Sequence, residues 1–160
     1  MRSSVVIMAM ASLVAVASPA AAQKTSFAGT WAVVVDPAAP PPSGRGGGGG
    51  LGQGGTVTQD DKSITVARTT PNGEVKTMYM LDGSESKNTM NAGGNAIESL
   101  STVKWDGPKM TITTKVSFNG NERVTTQSWW MEGGNLVIET TGPGRGGGAP
   151  TTTKMTYKKS

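Results

Sequence analysis

Beyond residue 22 the apolar positions recur every second residue, in short runs, and none keeps the 3.6-residue period of a long helix. Phe27, Gly29, Trp31, Val33 and Val35 alternate with smaller residues over 26–35. Ile64 and Val66 alternate with Thr65 and Ala67. Met110, Ile112, Val116 and Phe118 fall on one side of a strand pattern, with Thr111, Thr113 and Lys115 on the other. Leu136 and Ile138 oppose Glu139, and Met155 and Tyr157 oppose Lys154, Thr156 and Lys158. Alternation with one polar face predicts antiparallel strands, one side in a core and one in water. Strands are expected at 26–35, 56–59, 63–70, 74–81, 85–90, 97–105, 109–118, 122–131, 135–141 and 151–158. Ser86 and Asn88 make 85–90 the poorest of these by propensity.

Turn chemistry separates the runs. Asp60-Asp61-Lys62, Pro71-Asn72-Gly73, Asp106-Gly107-Pro108, Asn119-Gly120 and Glu132-Gly133-Gly134 all lie between strand segments. Asn-Gly and Asp-Gly tolerate the positive φ of tight hairpins. Hairpins this close make sequence neighbours spatial neighbours, which predicts an up-and-down meander. A hairpin pattern recurs weakly at 57–66, 103–112 and 129–138, too unevenly for a solenoid. Counting strands then places the long connections 36–55, 91–96 and 142–150 at one end, and 60–61, 81–84, 106–107 and 133–134 at the other. The fold class is all-β, a single antiparallel up-and-down barrel or strongly bent meander of 8–10 strands.

The first residues belong to a different category. Arg2, the apolar run Val5–Val16 and Ala20-Ala21-Ala22 read as a secretory signal peptide over 1–22, cleaved after about Ala22. The domain is then 23–160, placed in the periplasm or secreted, with no integral span after cleavage. Cysteine and histidine are both absent. The core has no disulfide to help it, and the usual neutral-pH base and commonest metal ligand are missing. Fifteen basic against 11 acidic side chains is a mild, scattered excess and makes no case for nucleic acid.

The remaining chemistry is sparse. The glycine tracts 44–55 and 142–148 carry Arg45 and Arg145 but lack the strand-to-helix context of a phosphate loop, and read as surface loops. Met78, Met80, Met90, Met110, Met131 and Met155 read as core filling, because a copper site generally wants histidine or cysteine as well. Asp60 and Asp61 lack the spaced carboxylates of a calcium loop. No spacing nominates a nucleophile–base pair, so the chain is read as no enzyme, with no cofactor and no metal. Thr77, Thr114, Thr126, Ser128 and Thr140, with Tyr79 and Tyr157, fall inward by alternation. Such hydroxyls suit either a wet or ligand-filled interior or an incompletely closed sheet. Trp129 and Trp130 are consecutive, so one of them faces out.

Phe27-Ala28-Gly29-Thr30-Trp31 resembles the Gly-x-Trp signature that opens proteins of the lipocalin-like (calycin) group. The whole chain is similar to exported, glycine-rich, lipocalin-like bacterial proteins. The resemblance implies that Gly29 and Trp31 form the barrel base and that the interior holds a small, mostly apolar molecule. It further implies a basic residue over the tryptophan, with Lys154 or Lys158 as candidates. The family's second signature, a Thr-Asp-Tyr-like stretch, is missing. The cavity lining expected from alternation is Val33, Tyr79, Met110, Ile112, Trp130, Ile138 and Tyr157. The expected function is non-catalytic carriage of a small apolar or amphipathic ligand outside the cytoplasm. The alternative is a filled-core interaction module that uses Trp129 and the glycine loops.

Overall fold

A computed structural model describes residues 24–35, 50–71, 73–92, 95–118, 120–144 and 148–160. The segment 1–22, read from the sequence as a signal peptide, lies outside the described residues, as do 36–49 and 145–147 of the glycine-rich connections. The strands are β1 (Gly29–Val33), β2 (Gly54–Gln59), β3 (Ser63–Thr70), β4 (Gly73–Met80), β5 (Ser86–Ala92), β6 (Asn95–Asp106), β7 (Lys109–Phe118), β8 (Asn121–Glu132), β9 (Asn135–Gly142) and β10 (Thr151–Lys159). Each pairs antiparallel with its sequence neighbour, except across the β4–β5 junction. The first strand also pairs with the last, with Trp31 opposite Lys159 and Val33 opposite Tyr157. The result is a nearly closed up-and-down barrel, as the period-two pattern predicts.

The barrel has one seam. The edge strands β4 and β5 share no backbone ladder in the sheet order. Side chains bridge them instead. The Met78 N–H donates to Asn88 Oδ1 at 2.8 Å, and Asn88 Nδ2 donates to the Met78 carbonyl at 2.8 Å. The Met80 N–H donates to Ser86 Oγ at 2.7 Å. An edge strand presents a row of unmet backbone groups, and these short polar side chains meet some of them. The residues that make 85–90 a poor strand by propensity are therefore the ones that close the wall.

Strand one is shorter than its alternation suggests. Val35 is 64 % exposed, and Phe27 leaves the strand to fill the base of the barrel. The Gln59 side chain holds that entry segment, accepting from the Phe27 N–H at 2.9 Å and donating to the Thr25 carbonyl at 3.0 Å. Lys24 Nζ donates to the Leu81 carbonyl at 2.9 Å. Phe27 stacks on Trp105 with centroids 6.0 Å apart and meets Trp129 edge-on at 5.9 Å. These aromatic contacts, with Met110, Leu136 and Val103, make the base an apolar floor.

Gly29 and Trp31 lie beside this floor. Trp31 is buried, and its Nε1 donates to the Phe27 carbonyl at 2.9 Å. Lys159 Nζ lies 5.7 Å from the indole centroid. The basic residue over the tryptophan is thus Lys159, one place beyond Lys158, because Lys159 is the register partner of Trp31. Gly29 has φ of 150°, and a Cβ there would stand 2.6 Å from Lys159 Cε. A side chain at 29 would push the lysine off the ring.

Candidate functional site

The site is the interior above that floor, and uneven strand lengths shape it. β6 and β8 have 12 residues each and β10 has nine, whereas β1 has five and β2 six. The wall is low where β1 stands between β2 and β10. Through this gap the chain enters the barrel at Gly50 and Leu51, and Gly52 and Gln53 lie exposed at its rim. Val33 N–H donates to the Gln53 carbonyl at 3.1 Å, and Gly54 N–H donates back to the Leu51 carbonyl at 2.9 Å. That tight turn drives the Leu51 side chain into the core, where its exposure is 0 %.

Three strands hold the inserted segment. Arg68, facing inward from β3, donates Nη1–H to the Gly50 carbonyl at 2.9 Å. Tyr157 on β10 donates its hydroxyl to the Gly52 carbonyl at 3.0 Å, with Met155 Sδ at 3.5 Å. On the opposite wall, Gln127 of β8 abuts Gly50 so closely that a Cβ at 50 would stand 2.8 Å from its Nε2. Gln127 Oε1 in turn accepts from Trp129 Nε1 at 3.3 Å. A Cβ at Gly55 would meet Leu51 Cδ2 at 3.1 Å and Arg68 Cβ at 3.3 Å. A Cβ at Gly55 would also stand 2.5 Å from the Ala67 carbonyl, so glycine is required there, whereas at Gly50 the movable end of Gln127 would have to shift.

Further polar groups face the same lumen from β6 and β7. Ser101 Oγ and Thr114 Oγ1 share a 2.8 Å hydrogen bond, and Ser99 Oγ donates to the Asn88 carbonyl at 3.3 Å. All three residues are buried. Trp105 Nε1 is buried with no partner among the described residues. Burial pushes the Tyr157 phenol up to about 12, with the nearby Arg68 cation working against the shift. The same two influences act on Tyr79, whose phenol is held far above its ordinary range. Both phenols are therefore neutral at physiological pH, within the influence of the Arg68 guanidinium. Among the described residues no group of three His, Cys, Asp or Glu could hold a metal ion. The arrangement sets hydrogen-bond donors and acceptors above an apolar floor.

Six of the seven expected lining residues lie on the inner side. Tyr79, Met110, Ile112, Ile138 and Tyr157 are buried in the core, and Val33 is half-buried against it. Trp130 is the exception: it lies on the outer face, with Lys109 Nζ 4.9 Å and Lys154 Nζ 5.4 Å from its ring centroid. Register explains the correction. Trp129 pairs with Met110 and Ile138, both inward, and cross-strand partners share a face. Trp129 is thus wholly buried, which removes it as the contact surface of the interaction module. Thr126 and Ser128 turn outward with Trp130. Thr126 joins a cross-strand row, Thr102–Thr113–Thr126–Thr141–Thr152, on the outer face. Thr114 is inward and buried, and Thr77 and Thr140 are inward and half-buried.

The reading of 36–55 as loop also needs correction, because Leu51 is core and Gly54–Gly55 belong to β2. Leu51, Arg68 and Gln127 were not singled out by alternation. Leu51 had a signal all the same, as the lone apolar side chain between Gly44 and Gly55. Gln127 and Arg68 had none, since a polar residue on an inward position looks like a register change.

No protein-family model matches the chain, and no curated protein matches it. Among solved structures, it is similar to zebrafish ileal bile acid-binding protein complexed with cholic acid. That match has 24 % identity, covers 67 % of this chain and 72 % of the other, and has a TM-score of 0.47.

Proposed function

We propose that the protein reversibly binds a small apolar or amphipathic molecule inside the barrel, without catalysis, and acts outside the cytoplasm. One observation carries this reading. The lumen is floored by aromatic side chains yet walled above by Arg68, Tyr157, Gln127, Ser101 and Thr114, and a core built only for stability would be aliphatic at those positions. Gly29, Trp31 and the overlying Lys159 support kinship with the lipocalin-like group of exported bacterial proteins. The extracytoplasmic location rests on the apolar run and small-residue site within 1–22.

Native mass spectrometry of protein purified from the cells that make it tests the reading. A stoichiometric added mass that disappears on unfolding is the expected result. A second reading, the filled-core module, is favoured by one fact: Leu51 already occupies part of the lumen. Bare polypeptide, unchanged after incubation with a panel of lipids and pigments, decides for that second reading.

A further inference from the structure

The inserted segment Gly50–Leu51–Gly52 has an unusual relation to the groups around it. Loop carbonyls ordinarily face water. Here the carbonyls of buried Gly50 and exposed Gly52 accept from Arg68 and Tyr157, side chains of the inner face. Leu51 supplies the one apolar side chain of its glycine tract and spends it on the core. The segment thus brings one oxygen to a guanidinium, one oxygen to a phenol and one branched aliphatic group to an apolar floor.

The guanidinium is poorly matched by that oxygen. Arg68 carries five N–H donors in a fixed fork suited to two parallel bonds with an anion. Its hydrogen bond here goes to a neutral carbonyl. Among the described residues the ion pairs join Lys76 with Glu74, Lys87 with Glu98 and Lys154 with Glu132, all exposed and none involving Arg68. A half-buried cation beside two buried phenols gains more from an anionic oxygen than from an amide one, because opposite charges attract and the guanidinium fork can bond both oxygens of an anion in parallel.

Building on the binding reading above, we infer that Gly50–Leu51–Gly52 is a built-in occupant of the ligand's own place. The ligand is then an anionic amphiphile whose head group replaces the Gly50 carbonyl on Arg68 and whose apolar body replaces Leu51. The segment is a tethered competitor, so it lowers the apparent affinity of any ligand by the fraction of time it is seated. Glycines on both sides return backbone entropy when it leaves.

The test uses two probes, anionic 1-anilinonaphthalene-8-sulfonate and neutral Nile red. The chain has no cysteine, so Leu51→Cys introduces a single thiol at a buried site. Its reaction with a thiol reagent is expected to be slow and to accelerate at least tenfold when the anionic probe is bound. Leu51→Ala is expected to bind both probes at least tenfold more tightly than the wild type. Arg68→Met added to it is expected to lose tenfold for the anionic probe and little for Nile red. Tryptophan near-ultraviolet circular dichroism and a cooperative urea melt confirm that each variant is folded.

If the probe binds and leaves the thiol rate unchanged, the segment is not the competitor; this inference falls and the binding reading stands. If Arg68→Met weakens both probes equally, the anionic head group is refuted. If no folded variant binds either probe, the inference and the binding reading fall together.

Discussion

Trp31→Ala removes the indole that the base of the barrel is built around. A buried tryptophan withdraws about 150–250 Å² from water, worth about 4–6 kcal/mol at ~25 cal/mol per Å². Truncations of this kind measure about 3–5 kcal/mol once the site relaxes. Two local contacts go with it. The Phe27 carbonyl loses its 2.9 Å donor, and Lys159 loses a cation–π contact worth about 0.5–1 kcal/mol at an exposed site. A domain of this size has about 5–15 kcal/mol in total, so Trp31→Ala removes a large share of its stability. Trp31→Phe keeps most of the ring's volume but not the N–H, and is expected to cost about 1–2 kcal/mol. The assay is urea unfolding followed by far-ultraviolet circular dichroism, which does not depend on tryptophan emission. A loss below about 1 kcal/mol for Trp31→Ala contradicts the 3–5 kcal/mol of a core truncation and refutes its role as the base. Equal losses for the Ala and Phe variants would place the energy in the hydrogen bond and refute the packing argument.

Both tyrosines of the chain are buried with raised phenol pKa values. An unfolded tyrosine ionises near 10, so the neutral phenols contribute stability in full below pH 10, and it is lost as pH rises through about 12 for Tyr157. Phenolate absorbance of the folded protein is expected to lag behind that of the protein in guanidinium; coincident curves would contradict the burial. Asp60 is exposed and accepts from the Lys62 and Ser63 N–H groups at 2.8 and 2.7 Å, bonds that hold its carboxyl below the ordinary value. Its contribution is present above the unfolded pKa and is lost as pH falls through the folded one, so Asp60→Ala is expected to lower the urea midpoint at pH 7 and leave it unchanged in strong acid. Asn88→Ala is expected to cost about 0.5–1.5 kcal/mol and to speed amide exchange at Met78 more than at Ile112, which lies inside the β6–β7–β8 ladder.

Strand number, direction and turn positions were legible because each depends on short-range chemistry: period-two alternation and glycine-bearing turns. Most of the interior was legible for the same reason. Trp130 was not, because two adjacent tryptophans carry no local mark of which faces in, and the choice was made by Met110 and Ile138 on neighbouring strands. Ser86 and Asn88 looked like weak strand residues because propensity scores a residue against a paired strand, and theirs stands at an edge. The inserted Leu51 was hidden by its glycines, which signal a loop whether the loop faces water or folds inward. Arg68 and Gln127 have partners far along the chain, which no local pattern can encode.

The pairing of β1 with β10 also governs how the chain assembles. β2 to β4 and β5 to β9 are runs of successive hairpins whose partners lie close in sequence. Trp31 and Lys159, by contrast, meet from opposite ends of the polypeptide. Closing so long a loop costs entropy before its contacts can repay it. Two blocks of meander can therefore form early, and they join into one wall only when the last strand arrives between the first and the ninth. Until then the backbones of β1 and β9 offer open hydrogen-bonding edges, and the interval before Lys159 reaches Trp31 is when the chain is most exposed to pairing with a second copy of itself.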